Sequence, residues 1–123
     1  MQDFNQKLAV ITGGASGVGR SLAFALGREG GRVLIADVDK TALTQTLADL
    51  SAAGIEAHSS FCDVSSAESV EALATKAFDE LGGAQLVFAN AGIGAGEGGA
   101  MWEYAEQDWQ WAFNVNVWGV INS

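Results

Sequence analysis

The eight residues Thr12-Gly13-Gly14-Ala15-Ser16-Gly17-Val18-Gly19 constrain this chain more than any other stretch. They follow Leu8–Ile11, a short apolar run rich in β-branched residues, and they precede a segment from Gly17 to about Glu29 in which Val18, Leu22, Ala25 and Leu26 recur at helical spacing. A short β-branched run of this kind suits a strand buried on both faces. A turn with so many glycines between such a strand and a helix brings backbone close to whatever lies above the helix N-terminus. The free N–H groups of that terminus and its dipole attract negative charge.

The same alternation continues. Gly30-Gly31 stops the first helix, and Val33-Leu34-Ile35-Ala36 forms a second buried strand ending at Asp37. A second helix carries Leu43, Leu47 and Leu50 on one face and closes at Gly54. Ile55 to Cys62 reads as a third, more polar strand. The third helix opens with Ser65 and Glu68 at capping-box spacing, steps through Val70, Leu73, Ala74, Ala77, Phe78 and Leu81, and ends at Gly82-Gly83. Leu86 to Ala89 is the fourth strand, followed by a glycine-rich loop from Gly92 to Gly99 and a helix from about Gln107 onward. That last helix is apolar on two faces, with Trp109, Phe113 and Val120 on one and Trp111, Val115 and Trp118 on the other. Such a helix is expected to be buried in a larger core or at a subunit contact. Helices between buried strands imply right-handed crossovers and a parallel, doubly wound α/β sheet of Rossmann type with strand order 3-2-1-4.

Composition narrows the function classes. The net charge of −9 argues against nucleic acid as a partner. All six Lys and Arg lie between Lys7 and Lys76, and only acidic charges follow. The single cysteine, Cys62, rules out an internal disulfide and a multi-cysteine metal site, and its place at a strand end reads as a small core residue. The N-terminus has no basic-then-apolar signal pattern, and no apolar run approaches the roughly 20 residues of a membrane span. A cytoplasmic protein with no membrane role is the expectation.

Asp37 ends the second strand 18 residues after Gly19, close to the spacing expected of a carboxylate that binds an adenosine ribose. It would accept hydrogen bonds from the ribose hydroxyls and repel a 2′-phosphate, and neither Ser16 nor Val38 supplies a cation to hold one. NAD is therefore favoured over NADP. The competing role for Asp37 is a helix cap, for which Asp39 is better placed.

The spacing Thr-Gly-x-x-x-Gly-x-Gly resembles the short-chain dehydrogenase/reductase family, and three further segments agree. Asp63-Val64 is similar to the family's adenine-binding pair. Ala89-Asn90-Ala91-Gly92 resembles its Asn-Asn-Ala-Gly motif, with Ala89 in place of the first Asn. Val115-Asn116-Val117-Trp118-Gly119 resembles the helix bearing its catalytic Asn. The resemblance implies a cofactor cradle made of Gly13, Ser16, Gly17, Val18, Gly19, Asp37, Asp63, Val64, Asn90, Ala91 and Gly92. It implies Asn116 as the residue that holds a water in the proton relay; the simpler role for Asn116 is to bond backbone between sheet and helix.

The family's activity would be hydride transfer between an alcohol and a carbonyl on a small-molecule substrate, usually in a homo-oligomer. Its proton-transferring Tyr-x-x-x-Lys does not occur here: the only tyrosine is Tyr104, four residues before Asp108, and the last lysine is Lys76. Residues 1–123 thus read as the N-terminal dinucleotide-binding part of a single domain whose Ser, Tyr and Lys lie elsewhere, inactive by itself. Expressed alone, it is expected to be unstable or to associate; a monodisperse monomer with a cooperative thermal transition would contradict this. A non-catalytic NAD-binding module is the alternative reading. A methyltransferase binding S-adenosylmethionine is disfavoured by the Thr12–Gly19 turn together with Asp63 and Asn90.

Overall fold

A computed structural model describes residues 3–96 and 98–123; Met1 and Gln2 at the N-terminus and Glu97 of the glycine-rich loop lie outside the described residues. The elements alternate from strand to helix: β1 Leu8–Thr12, α1 Gly17–Arg28, β2 Arg32–Asp37, α2 Lys40–Ala52, β3 Ala57–Phe61, α3 Ala67–Thr75 and β4 Leu86–Phe88. A 3-10 turn at Met101–Glu103 leads into α4 Glu106–Phe113, a π-helical stretch Asn114–Trp118 and α5 Gly119–Asn122. All strand pairs are parallel and the order is β3-β2-β1-β4, as the alternating sequence predicts.

Every residue of β1 is buried, because alternate side chains enter two different cores. Ala9, Ile11, Val33 and Ile35 meet Ala23 and Leu26 of α1 and Leu43 and Leu50 of α2 on one face. Leu8, Val10, Leu34 and Ala36 meet Cys62, Val64, Val70, Leu73 and Ala77 on the other. This period of two, with helices on both faces, explains why the central strands read as unbroken apolar runs. Leu8, Ile11, Leu34 and Ile35 are fully buried, and each such side chain contributes about 1.5–3 kcal/mol.

Three local expectations change. The third helix is α-helical only over Ala67–Thr75 and continues as a π-helical stretch, Lys76–Glu80. The residue that caps α3 is Ser66, whose hydroxyl accepts from the Ser69 N–H (3.3 Å). Ser65 is drawn instead into a turn with Asp63, donating its N–H (3.0 Å) and its hydroxyl (2.6 Å) to Asp63 Oδ1. The last helix is not one regular helix: a π turn interrupts it at Asn114–Trp118. The extra residue of such a turn rotates the helix beyond it by roughly 100° about the axis. Within this chain much of the segment's apolar surface stays exposed, including Trp111, Phe113, Trp118 and Val120, so the burial expected of it is not met by contacts inside residues 3–123.

Strands β1, β2 and β3 step outward in one direction, and β4 then returns to the other side of β1. The carboxyl ends of β1 and β4 therefore flank the point where the winding reverses. Open α/β sheets bind ligands in the crevice at that point.

Candidate functional site

A cleft of about 460 Å³ opens there, lined by residues that come after each of the four strands. From the turn after β1 come Gly13, Ser16, Gly17 and Val18; after β2, Asp37 and Val38; after β3, Cys62, Asp63 and Val64; after β4, Asn90, Ala91, Gly92 and Ile93. Of the residues singled out from the sequence, Gly19 lies beneath the turn and Asn116 beside Ile93; the rest line the cleft itself.

The turn after β1 is held in shape from three sides. Gly14 N–H donates to the Ala36 carbonyl (3.1 Å), and the buried Thr46 hydroxyl of α2 donates to the Ala15 carbonyl (2.8 Å). On the third side, Ala15 N–H donates to Asp37 Oδ2 (3.2 Å). Gly13 has φ +65°, and a Cβ on it would stand 2.9 Å from Ala91 Cα. A Cβ on Gly19 would collide with the Gly13 carbonyl oxygen and come within 2.7 Å of Asn90 Nδ2. Gly13 is therefore demanded by the close approach of the β1 and β4 turns, and Gly19 by the packing of α1 on both Gly13 and Asn90. Ser16 is the N-cap residue of α1, yet its side chain makes no capping bond, and α1 has no acidic residue in its first turn. The first-turn N–H groups, unpartnered within the helix, and a free hydroxyl thus face the same place.

The Thr12 hydroxyl joins the two turns. It donates to the Phe88 carbonyl (3.3 Å) and accepts from the backbone N–H groups of Asn90 and Ala91 (3.1 Å each). The Asn90 side-chain amide donates to the Thr12 carbonyl (3.0 Å) and the Gly13 carbonyl (3.4 Å). The resemblance marks Thr12 as the first residue of the glycine motif and Asn90 as a support of the central sheet; the bonds by which they join the two turns are seen only once β4 is placed beside β1.

Asp37 is oriented by backbone. Oδ2 accepts from Ala15 and Oδ1 from the Asp39 N–H (3.2 Å), leaving each oxygen a further lone pair. Asp39, not Asp37, caps α2 by accepting from the Ala42 N–H (2.9 Å). Asp63 uses Oδ1 for Ser65. The cleft lining holds these two carboxylates and no Lys or Arg. Arg20, the cation next to the glycine turn, is paired with Asp49 of α2 at 2.9 Å; that guanidinium, with Gln45 beside it, holds the Asp49 carboxyl below its usual range.

Both amide atoms of Asn116 bond the backbone of Ile93. Oδ1 accepts from its N–H and Nδ2 donates to its carbonyl, each at 2.8 Å. The π turn carries Asn116 at its centre. This pairing is the backbone-bonding role that the sequence left open for the residue.

Cys62 is buried. Burial pushes its thiol above the usual range, Asp63 adds to this, and a hydrogen bond from Ser69 opposes it. A thiol kept protonated is a poor nucleophile, so alkylation of Cys62 by iodoacetamide is expected to run slower than that of free cysteine at every pH up to about 9. A rate equal to free cysteine at neutral pH, followed by mass spectrometry, would contradict this. No group of three or more potential metal ligands occurs among the described residues, and none of their helices is long and apolar enough to cross a membrane.

Comparison with known proteins agrees with this geometry. The sequence profile of the family described as short chain dehydrogenase matches residues 7–123. The 1-deoxy-11-beta-hydroxypentalenate dehydrogenase of Streptomyces exfoliatus is 39% identical over 115 residues, which cover 94% of this chain and 42% of that protein. A short chain dehydrogenase/reductase from Burkholderia phymatum, solved in complex with NAD, is 45% identical with a TM-score of 0.93, over 99% of this chain and 43% of that one. An F189W actinorhodin polyketide ketoreductase solved with NADPH is 35% identical with a TM-score of 0.89, over 95% of this chain and 44% of that one. The chain thus spans less than half the length of each of these three proteins.

Proposed function

The chain belongs to the short-chain dehydrogenase family, and from that premise we propose that residues 1–123 are the dinucleotide-binding part of a single domain in an NAD-dependent oxidoreductase that interconverts a small alcohol and its carbonyl. The observation that carries the cofactor choice is the cleft lining: Asp37 fixed by two backbone N–H groups, Asp63 nearby and no cation among the residues that line it. A 2′-phosphate brought to that end would meet negative charge. Ribose hydroxyls would meet acceptors.

The residues present fit such a cofactor. The unpartnered N–H groups of the first turn of α1 and the free Ser16 hydroxyl suit a pyrophosphate. The close packing of Gly13 and Gly19 against the β4 turn gives the backbone the shape to receive it. Val38 and Val64 offer apolar surface beside Asp37 and Asp63 for the base. When bound, the nicotinamide ring supplies or accepts the hydride. The chain's own part is to bind and orient. Thr12 and Asn90 fix the β4 turn, and Asn116 fixes the backbone at Ile93. We assign Asn116 to the proton relay as well; since both atoms of its side-chain amide are paired to Ile93, it would act there by holding the Ile93 backbone in place and not through a free amide.

The chain spans 42% of its dehydrogenase relative from Streptomyces exfoliatus, and no Tyr-x-x-x-Lys occurs in it. The acid/base groups and the substrate-selecting surface are therefore assigned to the remainder of the protein. Assembly into a homo-oligomer and a cytoplasmic location complete the proposal. The test is calorimetric titration of the complete protein with NAD and NADP, followed by turnover of a panel of secondary alcohols and ketones. Tighter binding of NAD with measurable turnover is expected. Tighter binding of NADP would overturn the reading of Asp37, and NAD binding without turnover of any substrate would favour a non-catalytic binding module.

A further inference from the structure

One aromatic residue in the wall of the cleft comes from none of the matched motifs. Trp111 of α4 lines the cleft together with Val115, one helical turn further on, and it is the only aromatic residue among those lining it. Its neighbours in the segment are occupied otherwise: Trp109 packs with Tyr104, ring centroids 5.7 Å apart, Ala112 is buried, and Asn116 is paired to Ile93.

Among the described residues Trp111 has no such partner. It is 54% exposed and belongs to neither core cluster. Among the described residues it takes part in no aromatic pair or cation contact, and its indole N–H donates to no protein acceptor. A half-bare indole on the rim of a cleft is a surface that a flat ligand can cover.

The position along the cleft identifies which part of a ligand that is. The phosphate-attracting end lies at Ser16 and the first turn of α1. The chain from α4 through α5 runs against the turn after β3: Asn122 donates to the Val64 carbonyl (2.9 Å), a Cβ on Gly119 would press on the Val64 side chain, and Val115 packs on the core cluster that contains Val64. Val115, one turn on from Trp111, therefore ties this part of the segment to the Asp63–Val64 side of the cleft, and the exposed Val38 lines the same cleft. The Asp63–Val64 side is the end at which the proposed function puts the purine base, and the inference rests on that reading.

We propose that Trp111 is a specificity-determining wall of the nucleotide site, its indole packing on the adenine ring. Stacking of a base on an aromatic side chain is sequence-tolerant and substantial, so the residue would add affinity for the adenosine half of the cofactor and none for the nicotinamide half.

The experiment uses the complete protein and three ligands: AMP, nicotinamide mononucleotide and NAD. In Trp111→Leu, AMP and NAD binding are expected to weaken about tenfold while the mononucleotide is unchanged; Trp111→Phe should retain most of the affinity. AMP should quench the tryptophan fluorescence of the wild type and leave that of Trp111→Leu nearly unaltered. Equal AMP affinities in wild type and Trp111→Leu would overturn the proposal. So would an equal loss for AMP and mononucleotide, or a lowered melting temperature or changed oligomeric state with nucleotide affinity intact, which would mark Trp111 as a packing surface. A wild type that binds neither AMP nor NAD would instead refute the nucleotide-binding reading itself. Weakened NAD binding in Asp37→Asn with none in Trp111→Leu would refute only the wall.

Discussion

Replacing Gly19 with alanine is expected to lower NAD affinity by about two orders of magnitude or more and to destabilise the protein by about 1–3 kcal/mol, the usual cost of forcing atoms into a packed interior. The added methyl has no free direction. It would strike the Gly13 carbonyl and crowd the Asn90 side-chain amide, and that amide is the group that ties the β4 turn to the carbonyls of Thr12 and Gly13. The collision is with backbone on one side and a hydrogen-bonded amide on the other, so relief requires the start of α1 to separate from both turns. Separation would misplace the first-turn N–H groups of α1 relative to the Ala91–Gly92 backbone. Calorimetry of NAD binding and a thermal melt read the two effects independently. A variant that melts as the wild type and binds NAD within threefold would show that the approach of α1 to the two turns does not shape the site.

The second large effect is expected at Asp37. Hydrogen bonds to a charged group contribute about 1.5–3 kcal/mol, which corresponds to roughly ten- to hundredfold in affinity. Asp37→Ala would remove those bonds, but it would also free the Ala15 and Asp39 N–H groups that the carboxylate now holds, so lost affinity alone would be ambiguous. Asp37→Asn is the cleaner change. It keeps the shape and one acceptor oxygen, so it frees one of those N–H groups and not both, and it removes the charge. The ratio of NADP to NAD affinity is expected to rise at least tenfold, mostly through a gain for NADP, because the 2′-phosphate no longer meets a fixed anion. Titration with both cofactors checks it; an unchanged ratio would mean that Asp37 serves only to pin the glycine turn.

The parts of this molecule that depend on neighbours in sequence could be read from it. Strands buried on both faces announce themselves as apolar runs at Leu8–Ile11 and Val33–Ala36, and the glycine turn fixes which strand precedes the first helix. From the alternation came the parallel order, and from the order the crevice.

The features that escaped depend on contacts made at a distance. The π turn at Asn114–Trp118 accompanies a pairing between Asn116 and Ile93, 23 residues apart, and no helical periodicity encodes it. Ser65 has the spacing of a cap, but Asp63 competes for it and Ser66 takes the role. Trp111 could be placed on a second apolar face, though not in the lining of the cleft, since that requires knowing how α4 lies against the turns after the strands. Thr12 likewise becomes a joint only when β4 is laid next to β1.

The two margins of the sheet are unlike, and the difference gives the architecture a direction of growth. Along β3, the Glu56 carbonyl accepts from Val33 and the Cys62 N–H donates to Asp37, so residues of even number turn their peptide groups to β2 and Ser59 turns its carbonyl outward. Lys76 reaches from beyond α3 and donates its ammonium to that carbonyl at 2.9 Å, while Lys40 sits over the Phe61 ring, 5.2 Å from its centre. An incoming strand at this margin would have to strip a charged group from its acceptor, a device that discourages unwanted pairing. β4 has no lysine or arginine after it in the sequence and pairs with β1 alone among the described strands. A further strand would therefore meet less resistance at the β4 margin than at the β3 margin. Assembly and misassembly compete for the same place.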